Sequence, residues 1–285
     1  MVKRTRSVAA AAASQAFEIV ASVQTDKGCV REMNEDSGRF VRPSDPALLR
    51  DKGTLLVVAD GMGGHSAGEV ASQMAVEIVS RAYYEAEYEA PAALRHAVEE
   101  ANRRIHAAAL ADSGKHGMGT TCTALAIVGP TGVAAHVGDS RLYMLRGGEI
   151  YQLSEDHSAV MEMVKHGLIS KEEARTHEDK NVILRALGTT PDVEVSVLKP
   201  FQVREGDFFL LCSDGLHDLV QDAEIKHTVS GAGDVHAACE RLIALAKERG
   251  GHDNITVGIM GVVPAGTARA GAEPAPTTRE VEALR

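Results

Sequence analysis

Apolar positions along this chain fall into two rhythms. Phe17 to Val23 alternates apolar and polar as a half-buried strand does. Leu55-Leu56-Val57-Val58-Ala59 and Phe208-Phe209-Leu210-Leu211-Cys212 are unbroken apolar runs, which predict strands buried within a core. Between them the period lengthens: Val70, Met74, Ile78 and Ala82 recur at helical spacing. A second stripe, Leu94, Val98, Ala101, Ile105 and Ala108, follows Pro91, a residue suited to the first turn of a helix. Two such helices joined by a short link predict an antiparallel pair covering one face of a sheet. Thr121 to Val128, Val133 to Val137 and Leu142 to Leu145, separated by glycines, predict an antiparallel meander.

Residues 158–190 interrupt the strands with a polar, partly helical insert, in which Ser170 and Glu173 can form a capping box. Val193 to Leu198 predicts a further strand. The last helix has Asp234 as N-cap, an apolar face of Val235, Ala238, Leu242 and Leu245, and Gly250 beyond its end. The strand Ile255 to Val263 closes the ordered region, which is expected to span 17–263 as one domain. Residues 264–285, rich in Ala, Gly, Pro and Thr, have little to bury and read as a disordered tail. At the other end, Lys3, Arg4 and Arg6 precede a short, mostly alanine run and a small-x-small triplet, Ser14-Gln15-Ala16. That apolar stretch is short for a signal core, so 1–16 reads as a flexible extension.

Composition narrows the partners. A net charge of −10 over 285 residues argues against nucleic acid and anionic membrane, either of which favours a basic face. No apolar run approaches the roughly 18 residues of a membrane span. Cys29, Cys122, Cys212 and Cys239 are widely separated with no Cys-x-x-Cys pair, so neither a zinc site nor a disulfide framework is expected. Cys122 and Cys212 lie inside apolar runs as buried thiols, which suits a reducing cytoplasm.

The candidate chemistry lies in aspartates at strand ends. Asp60-Gly61 follows the Leu55 run, Asp139 follows Val133 to Val137, Asp214-Gly215 follows the Phe208 run, and Asp253-Asn254 precedes the last strand. An Asp-Gly after a strand is commonly only a tight turn. Several carboxylates converging on one rim instead offer hard oxygen ligands for Mg²⁺ or Mn²⁺.

Order and flanking residues match one family. The blocks are Arg31-x-x-Asn34-Glu35-Asp36, Val58-Ala59-Asp60-Gly61-Met62-Gly63-Gly64-His65, Gly119-Thr120-Thr121 and Val137-Gly138-Asp139-Ser140-Arg141. They continue with Asp156-His157-Ser158, Arg185-Ala186-Leu187-Gly188, Ser213-Asp214-Gly215 and Asp253-Asn254. From about Phe17 to Val263 the chain resembles the metal-dependent type-2C protein serine/threonine phosphatases, most closely the compact bacterial members.

The resemblance implies an α+β fold, an αββα sandwich of two antiparallel sheets flanked by helix pairs. It also implies a two-metal site binding Mn²⁺ or Mg²⁺. Asp60 and the Gly61 carbonyl would take one ion, with Asp60 bridging, and Asp214 and Asp253 the other. Glu35 would act through coordinated water, Asp36 would orient the ligands, and Asp139 with Asp214 would serve a weaker third ion. Arg31 would grip the substrate phosphate. An activated hydroxide would attack phosphoserine or phosphothreonine in line, with no phosphoenzyme. Some family members carry a histidine two residues after the bridging aspartate as general acid. Met62 stands there, which leaves His65 as the nearest titratable candidate.

Expected partners are phosphorylated proteins, substrates of a serine/threonine kinase, met by a monomer whose 158–190 insert forms a flap beside the cleft. Two other readings share these features. A phosphoprotein-binding regulator with little turnover would be expected to lose a metal carboxylate, and a two-metal nuclease sits badly with the acidic balance.

Overall fold

Strands buried on both faces need a layer on each side, and two stacked sheets between outer helices supply them. The computed structural model of the chain describes residues 17–63 and 67–266. In chain order the elements begin with β1 (Phe17–Asp26), β2 (Asp36–Val41), α1 (Pro46–Lys52) and β3 (Thr54–Met62). The helices α2 (Ala67–Glu85) and α3 (Ala90–Ala111) follow, then the short β4 (Gly119–Thr120). Two hairpins come next: β5 (Cys122–Val128) with β6 (Thr131–Val137), and β7 (Arg141–Arg146) with β8 (Glu149–Gln152). The insert holds α4 (Ala159–Lys165) and α5 (Lys171–Ala174), and leads to β9 (Ser196–Val197), β10 (Phe201–Gln202) and β11 (Phe208–Cys212). The chain ends with α6 (Asp214–His217), α7 (Asp222–Gly231), α8 (Val235–Glu248) and β12 (Ile255–Pro264).

One sheet runs β1-β12-β11-β7-β8 and the other β10-β6-β5-β3-β2, with every pairing antiparallel. The period of two sorts each strand between layers. In β3, Leu55, Val57 and Ala59 pack under α2 and α3, while Leu56 and Val58 face the other sheet. In β11, Leu210 and Cys212 lie toward α8, while Phe209 and Leu211 join the layer between the sheets. Each such side chain, wholly buried, contributes about 1.5–3 kcal/mol. The αββα sandwich expected from the motifs is thus present, with α2 and α3 on one outer face and α7 and α8 on the other.

Three expectations need correction. The meander does not exist: β5 and β6 form a hairpin in one sheet, β7 and β8 a hairpin in the other. The intervening Gly138-Asp139-Ser140 is a crossing between sheets, not a hairpin turn. The strand expected over Val193 to Leu198 is reduced to Ser196–Val197, paired with β6. The helix α7 was not expected at all, because only Ile225 and Val229 are buried along it. Helix ends were better marked: Ser170 and Glu173 form their capping box, and Asp234 accepts from the Ala237 amide at 2.8 Å. Cys122, Cys212 and Cys239 are buried free thiols and Cys29 is exposed. Among the described residues, no helix is long and apolar enough to cross a membrane. The extension over 1–16, His65, and the tail beyond residue 266 lie outside the described residues.

Candidate active site

Strand direction gathers the acidic residues at one end of the sandwich. The end of β3 meets the start of β2, where Asp36 pairs with Asp60 across the ladder. The end of β11 meets the start of β12, with Cys212 opposite Val257. Asp214 opens α6 immediately after β11, and Asp253 lies just ahead of β12. The crossing after β6 carries Asp139 to the same rim. Asp60 itself lies inside β3, not beyond it.

These carboxylates act on one another. Burial, then the charges of Asp36, Asp214, Asp139 and Asp253, raises the Asp60 pKa well above the carboxylate range. Asp214 is raised in the same way, first by burial and then by Asp139 and Asp253. Burial raises Asp36 to about 6, although Ser213 Oγ donates to its Oδ2 at 2.7 Å. Burial and the charge of Asp156 raise Asp139 to about 7.

The loop before β2 is tied to Asp253's neighbour. Asn254 accepts from the Glu35 amide at 2.8 Å and donates to the carbonyls of Lys27 and Met33 at 3.0 and 2.9 Å. That loop carries Arg31, whose guanidinium donates to Asp253 Oδ2 at 2.7 Å. Arg31 therefore sits on one of the carboxylates expected to hold an ion, while its side chain stays 51% exposed. Gly61 is required by packing: a Cβ there would lie 2.1 Å from the Gly68 carbonyl oxygen and 2.4 Å from that of Glu35. The Gly61 amide donates to that Glu35 carbonyl at 3.1 Å.

Among the described residues, no three His, Cys, Asp or Glu side chains form a closed metal cage. The donor set nonetheless fits hard divalent ions. Buried carboxylates raise one another's pKa, a repulsion that a divalent cation would offset, and among the described residues Oδ1 of Asp36 and of Asp139 has no hydrogen-bond partner. All the candidate ligands are oxygens, the type such ions take.

Several supporting residues had no role assigned from the sequence, although Thr120, Thr121 and Ser140 lie in the matched blocks. Thr121 Oγ1 accepts from the Asp60 amide at 2.9 Å and bonds Ser140 Oγ at 2.7 Å. Thr120 Oγ1 donates to the Asp60 carbonyl at 2.8 Å. His217 Nε2 donates to the Asp139 carbonyl at 3.1 Å. Only its spacing, three residues after Asp214 on a single helical turn, could have drawn attention to it.

A cleft of about 250 Å³ opens beside this rim, lined by Asp139, Asp214 and Asp218 on one side and Lys171, Arg175 and Lys180 of the insert on the other. Lys180 Nζ donates to Asp218 Oδ2 at 2.5 Å, and Arg175 reaches the His217 carbonyl at 3.3 Å. The insert thus leans on the segment just after Asp214.

The sequence pattern of protein phosphatase 2C matches residues 34–250. The serine/threonine phosphatase stp of Listeria innocua is 41% identical over 243 residues, spanning 83% of this chain and 93% of that protein. The protein phosphatase PhpP of Streptococcus pneumoniae is 35% identical, over 84% of this chain and 96% of its own. Among solved structures, the Mycobacterium tuberculosis serine/threonine phosphatase PstP/Ppp superposes with a TM-score of 0.77 at 37% identity, covering 86% of this chain and 99% of that one. A PstP catalytic domain solved with two manganese ions gives a TM-score of 0.75 at 37% identity, covering 87% of this chain and 99% of that one.

Proposed function

The chain belongs to the protein phosphatase 2C family, and from that membership we infer its activity and assign its parts: it is a protein serine/threonine phosphatase. Its family is metal-dependent, and we propose Mn²⁺ or Mg²⁺ as its ions. The observation that carries the assignment is the buried rim of mutually destabilised carboxylates. Asp60, the Gly61 carbonyl, Asp214 and Asp253 would hold two ions, and Asp139 with Asp214 a weaker third. Glu35 would contribute through water and Asp36 from behind Asp60. Bound there, divalent ions supply the Lewis acidity that lowers the pKa of water and offsets phosphoryl charge.

The protein's own groups do the rest. Arg31 spends one Nη on Asp253 and keeps other N–H donors for a phosphate, whose oxygens match its planar fork. The leaving serine or threonine oxygen must gain a proton. His157 and His217 are unsuited to give it, since burial pushes the first to about 3 and the second well below the imidazole range. His65 stays the proposed donor on its position in the motif. Phosphorylated proteins made by a serine/threonine kinase are the proposed substrates, read beside the 158–190 flap. The cytoplasm is the proposed location, which suits three buried free thiols.

The test is phosphate release from a phosphothreonine peptide with added Mn²⁺, with and without chelator. Asp60→Asn, Asp214→Asn and Asp253→Asn should each lower turnover by more than about 100-fold, because the charge that holds the ion is withdrawn. Full activity after exhaustive chelation would overturn the reading. Tight phosphopeptide binding with no turnover at any Mn²⁺ concentration would favour a binding regulator.

A further inference from the structure

The crossing that carries Asp139 turns on a glycine. Gly138 has φ +110°, a conformation other residues rarely adopt, and an added Cβ would lie 2.6 Å from Thr121 Cβ. A glycine linker between two sheets has no side chain to hold its peptide planes. Something else must hold them.

His157 does so from one side. Its Nδ1 accepts from the Gly138 amide at 3.1 Å, and its own amide donates to the Gly138 carbonyl at 2.7 Å. Because Nδ1 accepts, the ring proton is on Nε2, which meets Ser196 Oγ of β9 at 2.9 Å. The His157 carbonyl accepts from the Leu184 amide at 2.8 Å, and Ser158 bridges Ile183. The start of the flap and its Ile183–Leu184 stretch therefore meet at this residue. The ring is buried, 6% exposed, and stacks 4.8 Å from His136. His217 holds the same crossing from the opposite side, at the Asp139 carbonyl.

We infer that His157 is a positioning residue that fixes the Gly138–Asp139 turn through its Nδ1 lone pair and registers that turn against the root of the flap. Its consequence for cation binding rests on the reading of Asp139 as an ion ligand. Burial and the neighbouring His136 keep the ring neutral, so the lone pair is available across the working pH range. The part it plays differs from packing in requiring one atom at one place.

Two substitutions separate those atoms. His157→Asn puts an amide oxygen where Nδ1 stands and loses the contact with Ser196. His157→Gln reaches Ser196 and leaves the Gly138 amide unmatched. In metal-free protein, hydrogen exchange at the Gly138 amide should quicken by about 10-fold or more in the Gln variant and stay within about 3-fold in the Asn variant. By calorimetry, the weakest Mn²⁺ site should lose about 10–100-fold in affinity in the Gln variant, with the tighter sites unmoved, as for other groups that orient metal ligands. Ser196→Ala should leave both readouts near wild type.

Equal behaviour of the Asn and Gln variants, in either direction, would reduce His157 to a packing residue and overturn the inference. Fast Gly138 exchange with all Mn²⁺ sites unchanged would overturn its link to the cation while leaving the phosphatase assignment intact. The wild type supplies a check free of folding defects. Nitrogen NMR of the His157 ring should show a protonated Nε2 and a bare Nδ1 between pH 6 and 8, and the opposite tautomer would refute the inference outright.

Discussion

Asp139→Asn should make the metal-free protein more stable and a poorer catalyst. The perturbation removes one negative charge from the rim and keeps the side chain's shape. In the folded protein Asp139 titrates at about 7 instead of 3.8, chiefly because it is buried. At 1.36 kcal/mol per pH unit, that gap corresponds to about 4 kcal/mol of destabilisation once the carboxyl is forced to ionise. The amide also lacks a partner where Oδ1 has none, which costs about 1–3 kcal/mol. The net gain is therefore about 2 kcal/mol, or about 4–8 °C in Tm for a chain of this size.

The sign with pH follows from proton counts. Between 3.8 and about 7 the folded state holds a proton on Asp139 that the unfolded state has released. Stability of the wild type therefore falls as pH rises through that window. The Asn variant escapes this fall, so its advantage is full at pH 8; by pH 4 the electrostatic gain is below about 1 kcal/mol, and the unpartnered amide leaves the variant about 1 kcal/mol less stable than the wild type. Thermal unfolding in chelator at the two pH values measures it. A variant less stable than wild type at pH 8, or shifted equally at both, would refute the electrostatic account of the rim.

Arg31→Ala should raise KM or lower kcat on a phosphothreonine peptide by about 10–100-fold without weakening Mn²⁺ binding. Removing a half-exposed partner from Asp253 frees that carboxylate, and a pair of this kind is worth about 0.2–1 kcal/mol, so calorimetry should show affinity unchanged or up to about 5-fold tighter. Lost Mn²⁺ affinity would make Arg31 a structural support of the site. Gly61→Ala should lower Tm by several degrees and abolish turnover, because the clash is with two backbone oxygens that cannot swing away, at about 1–3 kcal/mol. A normal melting curve would mean that the Gly61–Gly68 crossing has slack.

The parts legible in the sequence are those where one local pattern has one structural meaning. Five apolar residues in a row at Leu55 can be covered only inside a layered core, and helical stripes such as Leu94 to Ala108 need a sheet beneath them. The crossing at Gly138–Ser140 was not legible. A glycine, an aspartate and a serine between two short strands read equally well as a hairpin turn, and only pairing partners far along the chain decide which sheet takes β7. The helix α7 escaped because two buried residues make no stripe. At the site, the aspartates announced themselves by their strand-end positions. Thr121 and Ser213 were marked only as members of matched blocks and His217 not at all, since a hydroxyl or imidazole that bonds a group far along the chain has no characteristic spacing. The Arg31–Asp253 pair spans 222 residues and was equally invisible.

How a carboxylate is held separates those that work from those that only support. Asp156 gives both oxygens to Arg141, with Gln152 adding a bond to Oδ1, and Asp207 gives both to Arg146, with the Arg204 amide on Oδ2. Their oxygens are spent, and they brace strands. Asp60 and Asp139 are gripped by their main chains instead. The Asp60 amide is held by Thr121, and its carbonyl accepts from Thr120 and from the Thr121 amide. Asp139 is held at its carbonyl by His217 and, one peptide earlier, at the Gly138 amide by His157. Its Oδ1 is buried with no partner among the described residues. At Asp139, fixing the backbone while leaving one carboxylate oxygen without a partner places a charge accurately and keeps its affinity for a cation, since a hydrogen bond to that oxygen would lower both its charge density and its need. The instability of the rim and its fitness as an ion site are therefore one property, and substitutions that relieve the first should erase the second.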